Sequence, residues 1–376
     1  MRIAAIEAMP PIGDASALGV LAKLMNDSDS QIASAAQENL AAMPGKKADD
    51  AIMAMLQKSS DTESQLKALE LIGRRRMENV ADALLKATKD NDESVRTAAI
   101  KMLGDLGGEV KFAKLVDLLL GARSPAEIRA AERALATTCK RDAKPVPGNV
   151  KIRKAVYRGA QGGGSADVTK KAAKMVADGM MTIEASNSNF GDPAQGIVKQ
   201  LEIEFTANGV TQSKTVREGQ SITLLVGATP PAYIDELKNA MTNAPTQQKL
   251  ALLRVLRAAQ GPRALDAIRT AAKDSNSDIR SEAISILCGW PSVEALNDVL
   301  KLTTASDRKV KILALRGAIR LIPLQDTGVV GKLGQFKELM PLIQRNEEKR
   351  LLLGSLAAVP SKDALAMAIA YLDHAA

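Results

Sequence analysis

The 376-residue sequence predicts a mostly α-helical protein of the α-solenoid class, an α/α superhelix of two-helix repeats, with one β-rich domain inserted into it. Three observations lead there. The passage KDNDESVRTAAIKMLGDLG at Lys89–Gly107 is written again far downstream as KDSNSDIRSEAISILCGW at Lys273–Trp290. Weaker copies recur with a period of about 30 residues before and after an interruption, which is the pattern of stacked helical repeats. Within the interruption, apolar residues alternate with polar ones, the period of strands rather than helices.

In the first copy, Val95, Ala98, Ala99, Met102, Leu103 and Leu106 fall at i, i+3, i+4, i+7, i+8 and i+11, one stripe of an amphipathic helix. Asn91 and Asp92 stand before it as N-cap candidates and Gly107 after it as a stop. The second copy keeps this grammar, with Ile279, Ala283, Ile286, Leu287 and Trp290 behind Asn276 and Asp278. Fainter versions centre on Ile32, Leu66 and Ile128 before the interruption and on Leu250, Val310 and Leu351 after it. Ile32, Leu66, Val95 and Ile128 thus mark one repeat each in the first half, and Leu250, Ile279 and Val310 do so in the second. A second apolar helix separates successive copies, as in ADALLKATKD, FAKLVDLLLGA, ALDAIRTAAKD and VEALNDVLKLTT.

The string (V/I)-R-x-x-A-x-x-x-L that starts at Val95 and at Ile279, each behind an aspartate-bearing turn, resembles the HEAT repeat, in particular the short bacterial form first noted in phycobilisome lyases. The resemblance covers residues 1–145 and 229–376 and implies an armadillo-like scaffold fold; it implies no activity, because such repeats carry many unrelated functions. Arg96, Arg129 and Arg280 each follow the first apolar residue of a copy. Equivalent positions of stacked units lie side by side, so these arginines are expected to bond carboxylates and helix-end carbonyls of the neighbouring unit rather than a ligand.

Residues 146–228 break the pattern. Alternation in Ile152–Tyr157 and Ile197–Phe205, with Asn208 and Gly209 before the next run, predicts strands and a hairpin, and KKAAKMVADG predicts one short helix. About 80 residues suffice for a small core. Removing this insert leaves three repeat periods between the two copies, so the solenoid should continue on either side as one stack, with the β domain seated in a single loop. The insert's DVT start, FGDP-x-x-G turn and closing V-x-EG hairpin resemble the small β domain of unknown function at the C-terminus of some DnaJ-type proteins, which implies no chemistry.

Hydrophobic residues make 46% of the chain but aromatic ones only 2%, a composition suited to close helix packing and poor in rings for stacking on bases. The net charge of +8 comes from beyond residue 145: lysine and arginine against aspartate and glutamate number 21 and 21 up to there, then 10 and 7, then 20 and 15. Cys139 and Cys288 fit neither a disulfide framework nor a metal motif and read as small buried side chains. The lone histidine, His374, stands near the terminus, which argues against imidazole-based catalysis or metal binding. GAQGGGSADVTKK lacks the order of a phosphate-binding loop, and NSNFGDPAQG, with Asn187, Asn189 and Asp192, has too few carboxylates for a calcium loop, so both read as turns. Three arginines in GRRRME near a helix end suit the helix dipole. No cofactor, catalytic residue or metal ligand is expected.

Arg254 and Arg257 on one helix, and Lys309, Arg316 and Arg320 on one face of another, are the candidate binding residues. The leading expectation is a non-enzymatic protein-binding scaffold, with an acidic segment as a suitable partner and the β insert as a second contact surface. The alternatives are nucleic-acid binding along that basic face and an accessory region of a larger exported enzyme. The sequence has neither a membrane-spanning run nor a signal peptide, and both ends read as cut repeats. Resemblance to bacterial HEAT proteins, many of them exported and fused to other domains, is all that argues for an extracytoplasmic location.

Overall fold

A computed structural model describes residues 2–8, 16–106, 110–146, 150–207, 210–224, 226–325, 327–359 and 361–373. The expected stop at Gly107, the hairpin residues Asn208 and Gly209, and His374 lie outside the described residues. The fold is mostly α, an α-solenoid with one inserted β-rich segment. It divides into two compact units, residues 1–142 with 231–258, and residues 143–230 with 259–376.

The first unit holds α1 (Arg2–Glu7), α2 (Ser16–Leu24), α3 (Ser30–Ala42), α4 (Lys46–Lys58), α5 (Thr62–Arg75), α6 (Ala81–Ala87), α7 (Glu93–Leu106), α8 (Phe112–Leu120) and α9 (Pro125–Arg141). After the insert come α12 (Pro231–Asn243) and α13 (Thr246–Ala259). Helices alternate between two layers: α3, α5, α7 and α9 pack in sequence, while α4 packs on α6 and α8 on α12.

A side-chain oxygen starts each helix of the first layer by accepting orphan backbone N–H groups, from Asp29 for α3, Asp61 for α5, Asp92 for α7 and Ser124 for α9. These caps are spaced more evenly along the chain than the apolar landmarks Ile32, Leu66, Val95 and Ile128. The landmarks drifted because the third residue after the cap is Ile32 and Val95 in two repeats but Ser64 and Glu127 in the others, so Leu66 and Ile128 belong one or two positions later. Seven residues after each cap stands a fully buried alanine, Ala36, Ala68, Ala99 and Ala131, which lets neighbouring helices approach closely.

The chain rejoins this unit after the insert. Tyr233 of α12 stacks on Phe112 of α8 with ring centroids 3.9 Å apart, its hydroxyl donates to Asp142 at 2.8 Å, and Arg254 of α13 grips both oxygens of Glu132 on α9 at 2.9 Å. Burial and the Asp142 carboxylate push the Tyr233 phenol up to about 12.

The second unit contains the insert, with strands β1 (Lys144–Val146), β2 (Val150–Gly159), β3 (Ser165–Asp167), β4 (Thr182–Glu184), β5 (Lys199–Ala207), β6 (Val210–Arg217), β7 (Ser221–Thr223) and β8 (Val226–Ala228) and helices α10 (Thr169–Ala177) and α11 (Asn187–Phe190). A four-stranded antiparallel sheet in the order β3-β2-β5-β6 buries Ala155, Tyr157, Leu201, Ile203 and Phe205 against Ala172 and Val176 of α10. Ile197 and Val198, expected in the strand, precede it and are exposed. The entering and leaving chains, β1 and β8, pair antiparallel from Lys144↔Ala228 to Val146↔Val226, so both ends of the insert meet at one place. A register shift between Ile152 and Lys154 marks a bulge at Arg153, whose guanidinium donates to the carbonyls of Pro323 and Gln325. A bulge re-aims a side chain, and here it ties the sheet to the helical part of the same unit.

That helical part comprises α14 (Gly261–Ala271), α15 (Ser277–Cys288), α16 (Leu296–Leu302), α17 (Arg308–Leu321), α18 (Val329–Leu339), α19 (Asn346–Leu356) and α20 (Lys362–Asp373), with α15, α17 and α19 packed in sequence. Asn276 caps α15 and Asp307 caps α17, and the buried alanines at the seventh position are Ala283 and Ala314.

Candidate interaction surface

The turns before α3, α7 and α15 are built from their own side chains. In D-x-(D/N), the first aspartate accepts the backbone N–H of the capping residue: Asp27 from Asp29, Asp90 from Asp92 and Asp274 from Asn276, at 2.8–3.0 Å. Arg96 and Arg280 then reach back over this turn, Arg96 to the carbonyls of Asp90 and Asn91 and Arg280 to those of Asp274 and Ser275. Arg96 also bonds the buried Glu127 of the next repeat at 2.7 and 2.8 Å. The expected neighbour contact is therefore present for Arg96, whereas Arg280 bonds its own turn. Arg129 departs from the expectation: Ser124 caps its helix, so it lies one position later than the other two and is exposed.

The arginines that do cap a neighbour's helix end sit elsewhere. Arg75 donates to the carbonyls of Leu40, Ala41 and Met43, Arg141 to Gly104, and Arg320 to Cys288 and Trp290. Of the GRRRME arginines, Arg74 pairs with Glu70 one turn back, Arg75 also holds Asp49, and Arg76 ends α5 in the left-handed region at φ 48°.

The five candidate binding residues fall in different units, Arg254 and Arg257 in the first and Lys309, Arg316 and Arg320 in the second. Arg254 is taken by Glu132, Arg316 by the buried Glu348 at 2.7 Å, and Arg320 by helix-end carbonyls. Arg257 and Lys309 are exposed.

In the insert, the two loops read as turns come together. A Cβ on Gly164 would stand 1.7 Å from the carbonyl oxygen of Pro193, so only glycine permits this approach. Beneath them Lys199 is buried, its ammonium 3.0 Å from Asp192 and 3.7 Å from Glu218. The Lys199 hydrogen bond holds the Asp192 carboxyl below the usual range. Asn187 accepts the Tyr157 hydroxyl at 3.2 Å and Asn189 donates to the Glu184 carbonyl at 2.9 Å. The three oxygen-bearing residues thus serve the fold, and the positive charge beside Asp192 comes from a lysine. Burial pushes Cys139 up to about 12 and Cys288 up to about 11, keeping both as thiols. Among the described residues no group of three or more His, Cys, Asp or Glu is placed to hold a metal ion, and no helix is long and apolar enough to cross a membrane.

Two open slots lie side by side on the first unit. One, of about 450 Å³, runs between α6 and α8 over Leu85 and Leu118, with Lys86, Lys89, Lys114, Asp82 and Asp117 at its rim. The other, of about 260 Å³, lies between α4 and α6 over Leu56, Ala83 and Ala87 and shares Lys86 and Lys89 with the first. Sequence reading missed them, because a gap between second-layer helices has no signature within either helix.

No curated protein matches the chain at a significant level. Among solved structures, an engineered protein aligns at 17% identity over 92% of this chain and 78% of its own, with a TM-score of 0.35. Human deoxyhypusine hydroxylase in complex with glycerol aligns at 12% identity over 92% and 96%, with a TM-score of 0.27. The complex of CpcE and CpcF of phycocyanin lyase from Nostoc sp. PCC7120 aligns at 16% over 83% and 94%, with a TM-score of 0.30. Overlaps this loose carry no argument about activity. The family model for HEAT repeats matches residues 50–136, which hold most of α4, all of α5 to α8 and most of α9, and the chain is HEAT-like there.

Proposed function

We propose that the chain is a non-enzymatic protein–protein interaction scaffold of bacterial type, divided at residues 1–145, 146–228 and 229–376, with the insert as a second contact surface. The observation that carries this reading is how the buried charges are used. Arg96 with Glu127, and Arg316 with Glu348, each join one repeat to the next, while Lys199 with Asp192 and Glu218 holds two loops together. These groups have structural partners, and what the repeats offer to solvent is surface. The insert we read as the small β domain of DnaJ-type proteins, on the DVT, FGDP and V-x-EG segments.

A nucleic-acid partner on the basic face is less well supported, because Arg254, Arg316 and Arg320 already hold partners within the fold, and among the described residues Arg257 and Lys309 are the members that make no such contact. Cross-linking of the full chain in its native cells, followed by quantitative mass spectrometry, tests the scaffold reading. It expects one protein recovered in near-stoichiometric amount; recovery of nucleic acid alone, released by nuclease and by salt, would overturn it.

A further inference from the structure

We infer that the paired slots on α4, α6 and α8 are a docking track for an extended acidic segment carrying an apolar side chain at every third residue. This rests on the scaffold reading and adds the partner's chemistry and its place of binding.

Both slots have apolar floors. Leu85 and Leu118 line the first and Leu56, Ala83 and Ala87 the second, so each suits an inserted aliphatic side chain. The charge between them has one sign. Lys86 and Lys89 border both slots and are exposed, and among the described residues neither makes an ion pair, whereas Lys114 has Asp117 at 3.5 Å. Asp90, at the edge of the second slot, is turned to the Gln65 amide at 3.1 Å and to the backbone N–H of Asp92 and makes no ion pair with either lysine. A row of apolar sockets divided by two unpaired ammonium groups is complementary to carboxylates flanking aliphatic residues.

Spacing decides the form of the ligand. Adjacent packed helices lie about 9 Å apart, and an extended chain of the polyproline-II kind rises about 3.1 Å per residue with three residues to the turn, so every third side chain points the same way about 9 Å further on. Side chains three residues apart therefore enter neighbouring slots, with the residues between them passing Lys86 and Lys89. An α-helix meets that spacing only between residues seven apart, about 10.5 Å, and would carry its apolar residues two turns apart rather than at every third position.

The test is fluorescence anisotropy of the full chain with a labelled ten-residue peptide bearing Leu at every third position and Asp or Glu elsewhere. Saturable binding is expected, weakened at least tenfold by K86E/K89E, and at least tenfold by replacing the leucines with serine, with circular dichroism of the variant unchanged. Three results would each overturn the proposal: no saturable binding, binding indifferent to K86E/K89E, or equal binding of the serine peptide or of a single-stranded oligonucleotide, which would reduce the track to bare charge. A native partner recovered by cross-linking while this peptide fails would leave the scaffold standing and remove only the track.

Discussion

The passages at Lys89–Gly107 and Lys273–Trp290 build the same turn and differ in how they join the next repeat. In each, an aspartate two residues before the cap accepts its N–H, and the arginine four residues after the cap bonds two carbonyls of the turn. Beyond that they diverge. The third residue after the following cap is Glu127 in one case and Val310 in the other, so Arg96 gains a buried carboxylate that Arg280 lacks. The close contact between successive helices is also written from opposite sides. Twelve residues after the cap stand Gly104 and Cys288, and facing them, ten residues after the next cap, stand Ala134 and Gly317. Either arrangement needs one glycine, and either partner can supply it. What a repeat does within itself is kept, and what it does to its neighbour is settled pair by pair.

Removing Glu127 should give the largest effect. Glu127→Ala leaves the Arg96 guanidinium buried with carbonyls alone and should cost about 3 kcal/mol, the low end for breaking a buried pair; Arg280→Met, which removes only bonds to its own turn, should cost less. Chemical denaturation with hydrogen exchange across α7 and α9 would show it, and equal losses in the two variants would dissolve the distinction.

The glycines come next. A Cβ at residue 104 would lie 2.5 Å from the Ala134 Cα, and one at residue 317 would lie 2.5 Å from the Cys288 carbonyl oxygen. Gly104→Ala and Gly317→Ala should each cost about 2 kcal/mol through forced backbone shifts. Unchanged melting temperatures in both variants would show that the helices can separate freely.

A smaller change should follow Val310→Glu, which writes the Glu127 solution into the second copy. Val310 is half-buried, and a carboxylate meeting Arg280 there should alter stability by less than about 1 kcal/mol. A crystal structure of the variant in which the new carboxylate does not touch Arg280 would break the analogy.

The smallest effect is in pH. The N–H of Ser94 is the main group holding the Asp92 carboxyl below its ordinary value, so its capping contribution is present above about pH 3.9 and is lost as pH falls through the lower folded value. Asn276 caps the second copy and does not titrate. Between pH 5 and pH 2 the Val95 amide resonance should follow that titration while the Ile279 amide does not; the same titration at both amides would erase the contrast between the caps.

Much of this was legible from the residues. Aspartate and asparagine before an apolar stripe announce a helix start because their side chains bond nearby backbone, and the stripe itself follows from helical geometry. The β insert declared itself by alternation for the same local reason. Less could be read of the neighbour contacts. Arg320 and Arg75 look like ordinary helix-end cations, and nothing near them in sequence names the carbonyls they reach; Glu127 looks like a first-turn acid until Arg96 is found against it.

The order of the chain alone determined the repeat, its caps and the place where strands interrupt helices, since each depends on groups within a few residues of one another. Only the tertiary structure decided which arginine meets which carboxylate, which glycine yields to which backbone and where two slots share a pair of lysines. Those are distances between side chains a whole repeat apart in sequence, set by how one packed helix settles on the next.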